Sequence, residues 1–345
     1  MFFSTTYTDT LFRIREHGRY GFIDAAGSVV IAPQYLEADE FVNGFSRVRF
    51  NDRWVPLDRQ GRLLLKRFYR QLGVFSEDLM RVQLVQLWGY IDRNGDEVIA
   101  PRFDDAADFS EGLAAVSIEG RWGYIDAAGA WAIIPRYEAA GRFSNGLAPV
   151  AEGGAWGFIN MKGEWVVRPQ WEQAQPFQGD VAVVTQQQLW GLIDQKGNVL
   201  APPRFSYVEG HSHGEFFEGM ALANDQGKYG FVNRNGALAI EPIFDMAGDF
   251  GEGLALVEIN GAYGFIDTAG QLAVMPNFED AGVFSDGLAQ ALSNGYWGYI
   301  FTNGQWAIPP RFEAALPFRS GLALVAAQGK WQYIDRFGAV IWKEK

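Results

Sequence analysis

Residues 261–287, GAYGFIDTAGQLAVMPNFEDAGVFSDG, contain one copy of a unit that recurs ten times in this 345-residue chain. The unit has an aromatic anchor residue, Tyr263 in this copy, directly before a central glycine position. The equivalent anchors are Tyr20, Trp54, Trp88, Trp122, Trp156, Trp190, Tyr229, Tyr263, Trp297 and Trp331. Successive anchors lie 34 residues apart, except for the 39 residues between the sixth and the seventh. A fixed period over nearly the whole chain is typical of a repeat architecture.

The first half of the unit predicts a β-hairpin. Residues 254–259, LALVEI, and residues 262–267, AYGFID, are apolar and β-rich, so we expect them to form strands a and b. Asn260 and Gly261 between them fit a two-residue type I′ turn, because both central positions of that turn need a positive φ. We interpret the glycine of each Trp-Gly pair as a hairpin glycine, since no strand-to-helix context for a phosphate loop surrounds it.

The second half predicts a third strand and a crossover. A three-residue loop that ends at Gly270 fits a type I turn with a bulge. Residues 271–275 predict strand c, and we expect it to end at Pro276, because proline cannot donate to a ladder. The remaining residues cross to the next copy. On this pattern all ten copies run a–b–c, and the first strand a spans about residues 10–14.

Three further positions recur with the repeat. A glycine lies seven residues after every anchor, as a turn that requires φ > 0 would impose. An acid or amide precedes that turn, which is the chemistry of a side chain that caps backbone N–H groups: Asp24, Asp58, Asp92, Asp126, Asn160, Asp194, Asn233, Asp267 and Asp335. Pairs of aromatic residues in the crossovers, such as Phe278 and Phe284, predict that the crossover is fastened to the sheet.

These features predict an all-β fold. We expect residues 1–345 to form a single tandem array of about ten 34-residue, three-stranded antiparallel repeats in an open superhelical, solenoid-like stack. A closed propeller-like ring, or two smaller rings, is the alternative, because propeller blades are also repeated antiparallel sheets. A five-residue insertion lengthens the sixth crossover, within residues 206–219.

The pattern W-G-Y-I-D-x-x-G, followed by P-x-F-[DE]-x-A-x-x-F-S-[DE]-G-L-A, resembles the WG-repeat family of bacterial proteins. Residues 122–147, WGYIDAAGAWAIIPRYEAAGRFSNGL, carry this resemblance, which extends over roughly residues 8–345. It implies a bacterial β-repeat protein that serves as a binding or interaction module. The family pattern contains no catalytic residues, so the resemblance supplies none.

Composition reduces the number of possible functions further. The net charge of −12 argues against direct nucleic-acid binding, which relies on Lys and Arg, and it favours a basic partner. The chain has no cysteine, which excludes disulfides and cysteine-based zinc sites. The N-terminal residues lack the basic and apolar regions of a signal peptide, and no apolar run is long enough for a membrane helix. We therefore expect a soluble, cytoplasmic protein.

The sequence offers one weak metal pattern. His211 and His213 lie in the insertion with Glu209 nearby, and zinc sites use His and carboxylate ligands. No third ligand stands at a recognised spacing, so we expect a polar surface loop, no metal and no cofactor. As the only insertion in the array, the loop is nevertheless a candidate for contact with a partner.

The carboxylates that recur in the crossovers are the other candidate partner site. A stacked array would align one acid per repeat, either as a solvated face or as a docking surface. The candidate residues are Asp104, Glu138, Glu172, Asp245, Glu279 and Glu313. No nucleophile with an adjacent base, paired acid cleft or phosphate loop accompanies them, so the sequence predicts no catalytic residue.

The sequence thus favours a non-enzymatic, acidic protein-binding scaffold that captures or inhibits a basic protein. An immunity protein against a secreted bacterial toxin, such as a nuclease, fits this description. The alternative is a lectin-like or cell-envelope-binding module, which exposed tryptophans would favour. The second copy departs from the pattern, with Val55 in place of glycine and a basic cluster of Arg59, Arg62, Lys66, Arg67 and Arg70.

Overall fold

The computed structural model describes residues 10–64, 66–207 and 214–345. Over those ranges the chain forms β-strands, turns and bends and contains no helix. The predicted all-β array of short antiparallel repeats is therefore confirmed.

Each regular repeat contributes strands a, b and c, and most crossovers add a short fourth strand. The a strands are β1 (Phe12–Glu16), β4 (Phe45–Phe50), β7 (Leu79–Leu84), β11 (Leu113–Ile118), β15 (Leu147–Glu152), β19 (Val181–Gln186), β23 (Met220–Asp225), β27 (Leu254–Ile259), β31 (Ala289–Ser293) and β35 (Ala323–Ala327). The b strands are β2 (Arg19–Ile23), β5 (Arg53–Asp58), β8 (Leu87–Asp92), β12 (Arg121–Asp126), β16 (Ala155–Asn160), β20 (Leu189–Asp194), β24 (Lys228–Asn233), β28 (Ala262–Asp267), β32 (Tyr296–Ile300) and β36 (Lys330–Ile334). The c strands are β3 (Val29–Tyr35), β9 (Glu97–Phe103), β13 (Trp131–Tyr137), β17 (Trp165–Trp171), β21 (Val199–Ser206), β25 (Leu238–Phe244), β29 (Leu272–Phe278), β33 (Trp306–Phe312) and β37 (Val340–Lys343). The crossover strands are β6 (Gln71–Ser76), β10 (Asp105–Ala106), β14 (Ala139–Ala140), β18 (Gln173–Ala174), β22 (Phe216–Phe217), β26 (Met246–Gly251), β30 (Asp280–Ala281) and β34 (Ala314–Ala315).

The hairpin of each repeat follows the sequence pattern closely. In the eighth repeat, β27 and β28 have the predicted bounds and pair from Leu254↔Asp267 to Ile259↔Ala262. Asn260 and Gly261 have φ values of 53° and 79°, as the type I′ turn requires. The crossover strand adds to the outer side of strand a, so the sheet order is, for example, β10-β11-β12-β13.

Two expectations are wrong: one concerns the end of strand c, and the other concerns the role of the glycine after the anchor. Strand β29 continues through Pro276 to Phe278, because the ladder shifts register there and no N–H is needed from the proline. The glycine after each aromatic anchor is not a hairpin glycine. A Cβ on Gly123 would lie 2.5 Å from the carbonyl oxygen of Ile133 in strand c, so only glycine permits this close approach.

The second and tenth repeats show what happens without that glycine. Val55 stands in its place in β5, and β4 and β5 form a two-stranded sheet. On the strand c side of β5, the described residues add a bridge from Leu57 to Leu63 and a hydrogen bond from the Leu64 N–H to the Pro56 carbonyl at 2.9 Å. In the second copy the predicted strand c falls at about residues 62–66, and residue 65 lies outside the described residues, so the structure describes only part of that predicted strand. In the tenth repeat, Gln332 pairs with Lys343 and strand β37 is short.

The hydrophobic core lies between consecutive repeats. Alternate residues of strand a point to opposite faces: Ala114 and Val116 pack with the third repeat, and Leu113 and Ala115 pack with the fifth. Both faces of this sheet are therefore buried. The predicted fastening of the crossovers is also confirmed, since aromatic rings of strand b and crossover, such as Tyr124 and Phe143, lie 4.7 Å apart.

The chain divides into two compact units. One contains Leu11–Phe22 and Val29–Pro203. Among the described residues, the other contains Thr10, Ile23–Ser28 and Arg204–Lys345.

Candidate functional site

Antiparallel pairing gives every repeat two edges with different chemistry. We call the edge with the a–b turn and the start of the crossover the hairpin edge. The opposite edge, which we call the turn edge, carries the b–c turn and the end of the crossover. In the fourth repeat the hairpin edge has the Glu119-Gly120 turn, and the turn edge has the loop from Asp126 to Gly129.

The six crossover carboxylates lie at the hairpin edge, each exposed and each at the start of its crossover. In the unit that contains Val29–Pro203, Glu138 accepts hydrogen bonds from the backbone N–H groups of Gly153 (3.2 Å) and Gly154 (2.8 Å) in the a–b turn of the next hairpin. Asp104 accepts one from Glu119 at 2.6 Å in the same way. The turns thus hold the carboxylates in place.

The remaining members have the same arrangement. Glu172 accepts a bond from the N–H of Gln188 at 3.2 Å. In the unit that contains Arg204–Lys345, Glu279 accepts a hydrogen bond from the backbone N–H of Asn294 at 2.7 Å. Glu313 accepts from the backbone N–H of Gly329, with its two oxygens at 3.1 Å and 3.3 Å. Sequence reasoning found these residues through their recurrence but did not foresee that they cap a turn.

Asp245 is the member that a cation contacts most closely. The ammonium of Lys228 donates to its carboxylate at 2.5 Å, and the N–H of Asn260 donates at 2.8 Å. The bond from Lys228, followed by the bond from Asn260, lowers the pKa of Asp245 below its usual range. A guanidinium also lies near Glu138, with Arg121 at 4.0 Å. Asp104, Glu138 and Glu172 lie in three consecutive repeats of one unit. We call these three residues the acidic row.

The acids before the b–c turns serve the turn itself, as predicted. Asp194 Oδ1 accepts from the N–H groups of Lys196 at 2.9 Å and Asn198 at 2.8 Å. Desolvation acts against its charged form, yet the bonds from the Asn198 side chain and from these N–H groups hold the pKa of Asp194 below its ordinary value. The equivalent Asp267 accepts from Ala269 and Gln271.

A second series of acids, which sequence reasoning missed, joins neighbouring repeats at the turn edge. Glu111 accepts hydrogen bonds from the N–H groups of Asn145 (2.6 Å) and Gly146 (2.9 Å), which belong to the equivalent turn of the next repeat. Beside it, Ser110 donates to the carbonyl of Phe143 at 2.8 Å. The recurring F-S-[DE]-G motif was the signal for this series, but its bonds join residues 33–35 positions apart, which no local pattern reveals.

Other candidates contribute less. Glu209, His211 and His213 lie outside the described residues. No group of three or more His, Asp or Glu side chains suited to a metal occurs within the described ranges. The described part of the chain also has no helix long and apolar enough to cross a membrane.

Ion pairs occupy much of the basic cluster of the second repeat. Lys66 pairs with Asp96, and Arg67 pairs with Glu97 at 3.1 Å, both in the third repeat. Arg62 pairs with Asp58 at 2.6 Å. Lys66 and Arg67 therefore link the second repeat to the third.

Comparison with known proteins agrees with the repeat pattern. A family model described as "WG containing repeat" matches more than half of the chain, at residues 20–54, 88–122, 122–154, 156–189, 190–229, 229–261, 263–297 and 297–331. Among curated protein sequences, none matches the chain.

Solved structures resemble the chain at low sequence identity. One, described as the eukaryotic initiation factor, has a TM-score of 0.53 at 13% identity, covering 97% of this chain and 96% of that chain. Another, the dihydro-heme d1 dehydrogenase NirN in complex with DHE, has a TM-score of 0.42 at 13% identity, covering 98% and 78%. The likeness at such identities concerns the fold alone.

Proposed function

The chain belongs to the WG-repeat family, and from its charge and the position of its carboxylates we propose that it is a non-enzymatic protein-binding scaffold for a basic partner. The observation that carries this proposal is the acidic row of Asp104, Glu138 and Glu172. Three exposed carboxylates occupy the same position in consecutive repeats, and a hairpin turn holds each of them. Repeat arrays present such extended surfaces to partners.

Two physical effects favour a basic partner at this row. A carboxylate that already accepts turn N–H bonds loses less conformational freedom on binding than a free side chain does. In addition, the net charge of −12 attracts a positive protein over a distance and raises its rate of association. Neither effect requires a chemical step.

We further propose that the partner is a toxin, such as a secreted nuclease, which the protein inhibits as an immunity protein. Nucleases bind phosphate through basic side chains, and a row of fixed carboxylates is suited to occupy those side chains. The lectin-like alternative required exposed tryptophans. Of the twelve tryptophans, only Trp131 and Trp331 are exposed, at 37% and 41%, so this alternative gains no specific support.

A capture experiment with matched variants tests the proposal. The row variant carries Asp104→Asn, Glu138→Gln and Glu172→Gln, which remove three charges and keep an acceptor oxygen for each turn. The control carries Glu77→Gln, Glu111→Gln and Asp126→Asn, which remove three charges at the turn edge of the same unit. Each protein is immobilised and exposed to a bacterial extract, and the retained proteins are identified by mass spectrometry.

We expect a basic protein to be retained by the wild type and the control and to be lost by the row variant. Retention of the same partner by all three proteins would contradict the proposal, as would a partner without excess positive charge. Nuclease activity of the purified partner, abolished by the wild type at equal concentration, would support the toxin assignment. An inactive or uninhibited partner would refute that assignment alone.

A further inference from the structure

At its Trp54 end, strand b of the second repeat lacks the pairing that strand c supplies in the complete repeats. In the complete repeats this edge is covered by strand c, where the anchor pairs with the first crossover aromatic, as in Trp122↔Tyr137. Within the described part of the chain, Trp54 has no such pairing with Tyr69. Farther along the edge, the Leu64 N–H donates to the Pro56 carbonyl at 2.9 Å, and Lys66 pairs with Asp96 of the third repeat.

The N–H and C=O groups of Trp54 point away from β4, in the plane of the sheet. Phe50 and Arg53 close the two-residue turn of the β4–β5 hairpin, so Arg49 and Trp54 form the next, non-hydrogen-bonded pair. Consistent with this, the N–H and C=O of Arg49 bond the crossover residues Glu37 and Leu36 instead. The N–H and C=O of Trp54 therefore face the side on which strand c lies in the complete repeats.

A groove of about 410 Å³ adjoins this open edge. Trp54, Phe68, Leu84 and Val85 supply an apolar lining, and the Phe68 and Val85 side chains are exposed by 43% and 75%. The volume lies within the range of about 300–1,000 Å³ that ligand sites occupy. Open backbone groups beside an apolar groove are the arrangement that accepts an added strand.

The charge of the groove indicates which strand it accepts. Arg53 and Arg70 line it, both are exposed, and neither forms an ion pair within the described residues. Arg53 stacks instead over the Phe68 ring at 4.9 Å. The one acid of the lining, Asp52, lies 3.9 Å from Arg49. Two unpaired guanidinium groups in a chain of net charge −12 make this groove complementary to carboxylates.

We propose that the groove beside β5 binds an extended acidic peptide segment of a partner protein. The segment adds to the edge of β5 through the main chain of Trp54. Its apolar side chains pack on Phe68 and Val85, and its carboxylates meet Arg53 and Arg70. This site is separate in charge and position from the acidic row and does not depend on the proposed function.

Synthetic peptides provide a direct test with the whole protein. The probe is the capped, fluorescently labelled peptide TVEVDVET, and its dissociation constant is measured by fluorescence anisotropy. A basic twin, TVKVKVKT, tests charge, and a proline twin, TVEPDVET, removes one donor that strand addition needs. An oligonucleotide competitor tests for a nucleic-acid site, since arginine and aromatic side chains also bind bases.

Variants of equivalent arginines complete the design. Arg53→Glu with Arg70→Glu should raise the dissociation constant for the acidic probe at least about tenfold. The control is Arg19→Glu with Arg121→Glu, at the positions that match Arg53 in repeats with a complete strand c, and it should change binding less than about twofold. Unchanged circular dichroism and thermal midpoint show that each variant is folded.

We expect the acidic probe to bind and both twins to bind at least about tenfold more weakly. The proposal fails if the acidic probe does not bind, if the basic twin binds as well, or if the Arg53 and Arg70 variant binds like the control. Equal binding of the proline twin would refute strand addition. Displacement of the probe by the oligonucleotide would assign the groove to nucleic acid instead.

Discussion

Glycine decides the local structure of this protein at two positions, for two different reasons. Gly129 has a φ of +80°, a conformation that side-chain-bearing residues rarely adopt, so the b–c turn needs it. Gly123 has no positive φ, but strand c passes so close that a Cβ has no room. The second reason explains why the anchor of the repeat is an aromatic–glycine pair.

We predict that Gly123→Ala lowers the free energy of unfolding by more than about 2 kcal/mol, because the added methyl group would overlap backbone atoms that cannot yield. A Cβ on Gly123 would lie 2.5 Å from the Ile133 oxygen and 2.7 Å from the Pro135 nitrogen. The control is Gly248→Ala, whose Cβ would meet only Leu256 at 3.6 Å and should change stability by less than about 0.5 kcal/mol. Urea denaturation measures the free energy of unfolding of both variants. Equal values for Gly123→Ala and Gly248→Ala would refute the close-approach explanation.

Asp194 gives a prediction about pH. Because hydrogen bonds hold its folded-state pKa below the ordinary value of 3.8, its contribution is complete above that value and is lost as the pH falls through the folded-state pKa. Asp194→Asn keeps an acceptor, as Asn160 and Asn233 do in other repeats, so we expect near-wild-type stability at pH 7 and a smaller loss on acidification. Asp194→Ala should cost about 1 kcal/mol at pH 7.

Urea denaturation between pH 7 and pH 3 measures this difference. If the Asn variant loses as much stability as the wild type over that range, Asp194 does not contribute to the acid sensitivity.

At the scale of elements, the sequence predicted strands a and b closely and placed strand c, but it missed where strand c ends. Strands a and b alternate in the expected way, and the Asn260-Gly261 turn specifies their register locally. Strand c depends on a contact across the sheet, between Gly123 and Ile133 in the fourth repeat, which the turn chemistry does not reveal.

The bonds between turn-edge motifs give a prediction about how repeats are joined. Glu111→Ala removes the acceptor for Asn145 and Gly146 of the next repeat and should lower the free energy of unfolding by about 1–2 kcal/mol. Glu111→Asn should cost less, because Asn145 fills the equivalent position and bonds Gly179 at 3.1 Å. Thermal and urea denaturation compare the two variants, and equal losses would show that these bonds do not stabilise the array.

At the scale of the whole molecule, the recurrence of one acid per repeat is enough to identify the acidic row. An acid at a fixed position of the repeat must occupy one edge of the array, and Asp104, Glu138 and Glu172 do so. The sequence did not reveal which backbone N–H group donates to each carboxylate. Glu138 and Gly154 are 16 residues apart, and their bond depends on how the crossover meets the next hairpin.

The groove of the second repeat could be predicted only in part. The basic residues from Arg59 to Arg70 were visible, but the ion pairs that occupy Arg62 and Lys66 depend on the path of the chain after strand b. The unpaired Arg53 was not singled out, because arginine also occurs at this position in regular repeats.

The salt dependence of association tests the central claim most directly. We would measure the association rate of the captured partner at about 20 mM and about 500 mM salt for the wild type, the row variant and the turn-edge control. We expect the wild type and the control to associate at least about tenfold faster at low salt, and the row variant to lose most of that acceleration. Association that is independent of salt, or equally fast for the row variant and the control at low salt, would contradict the account.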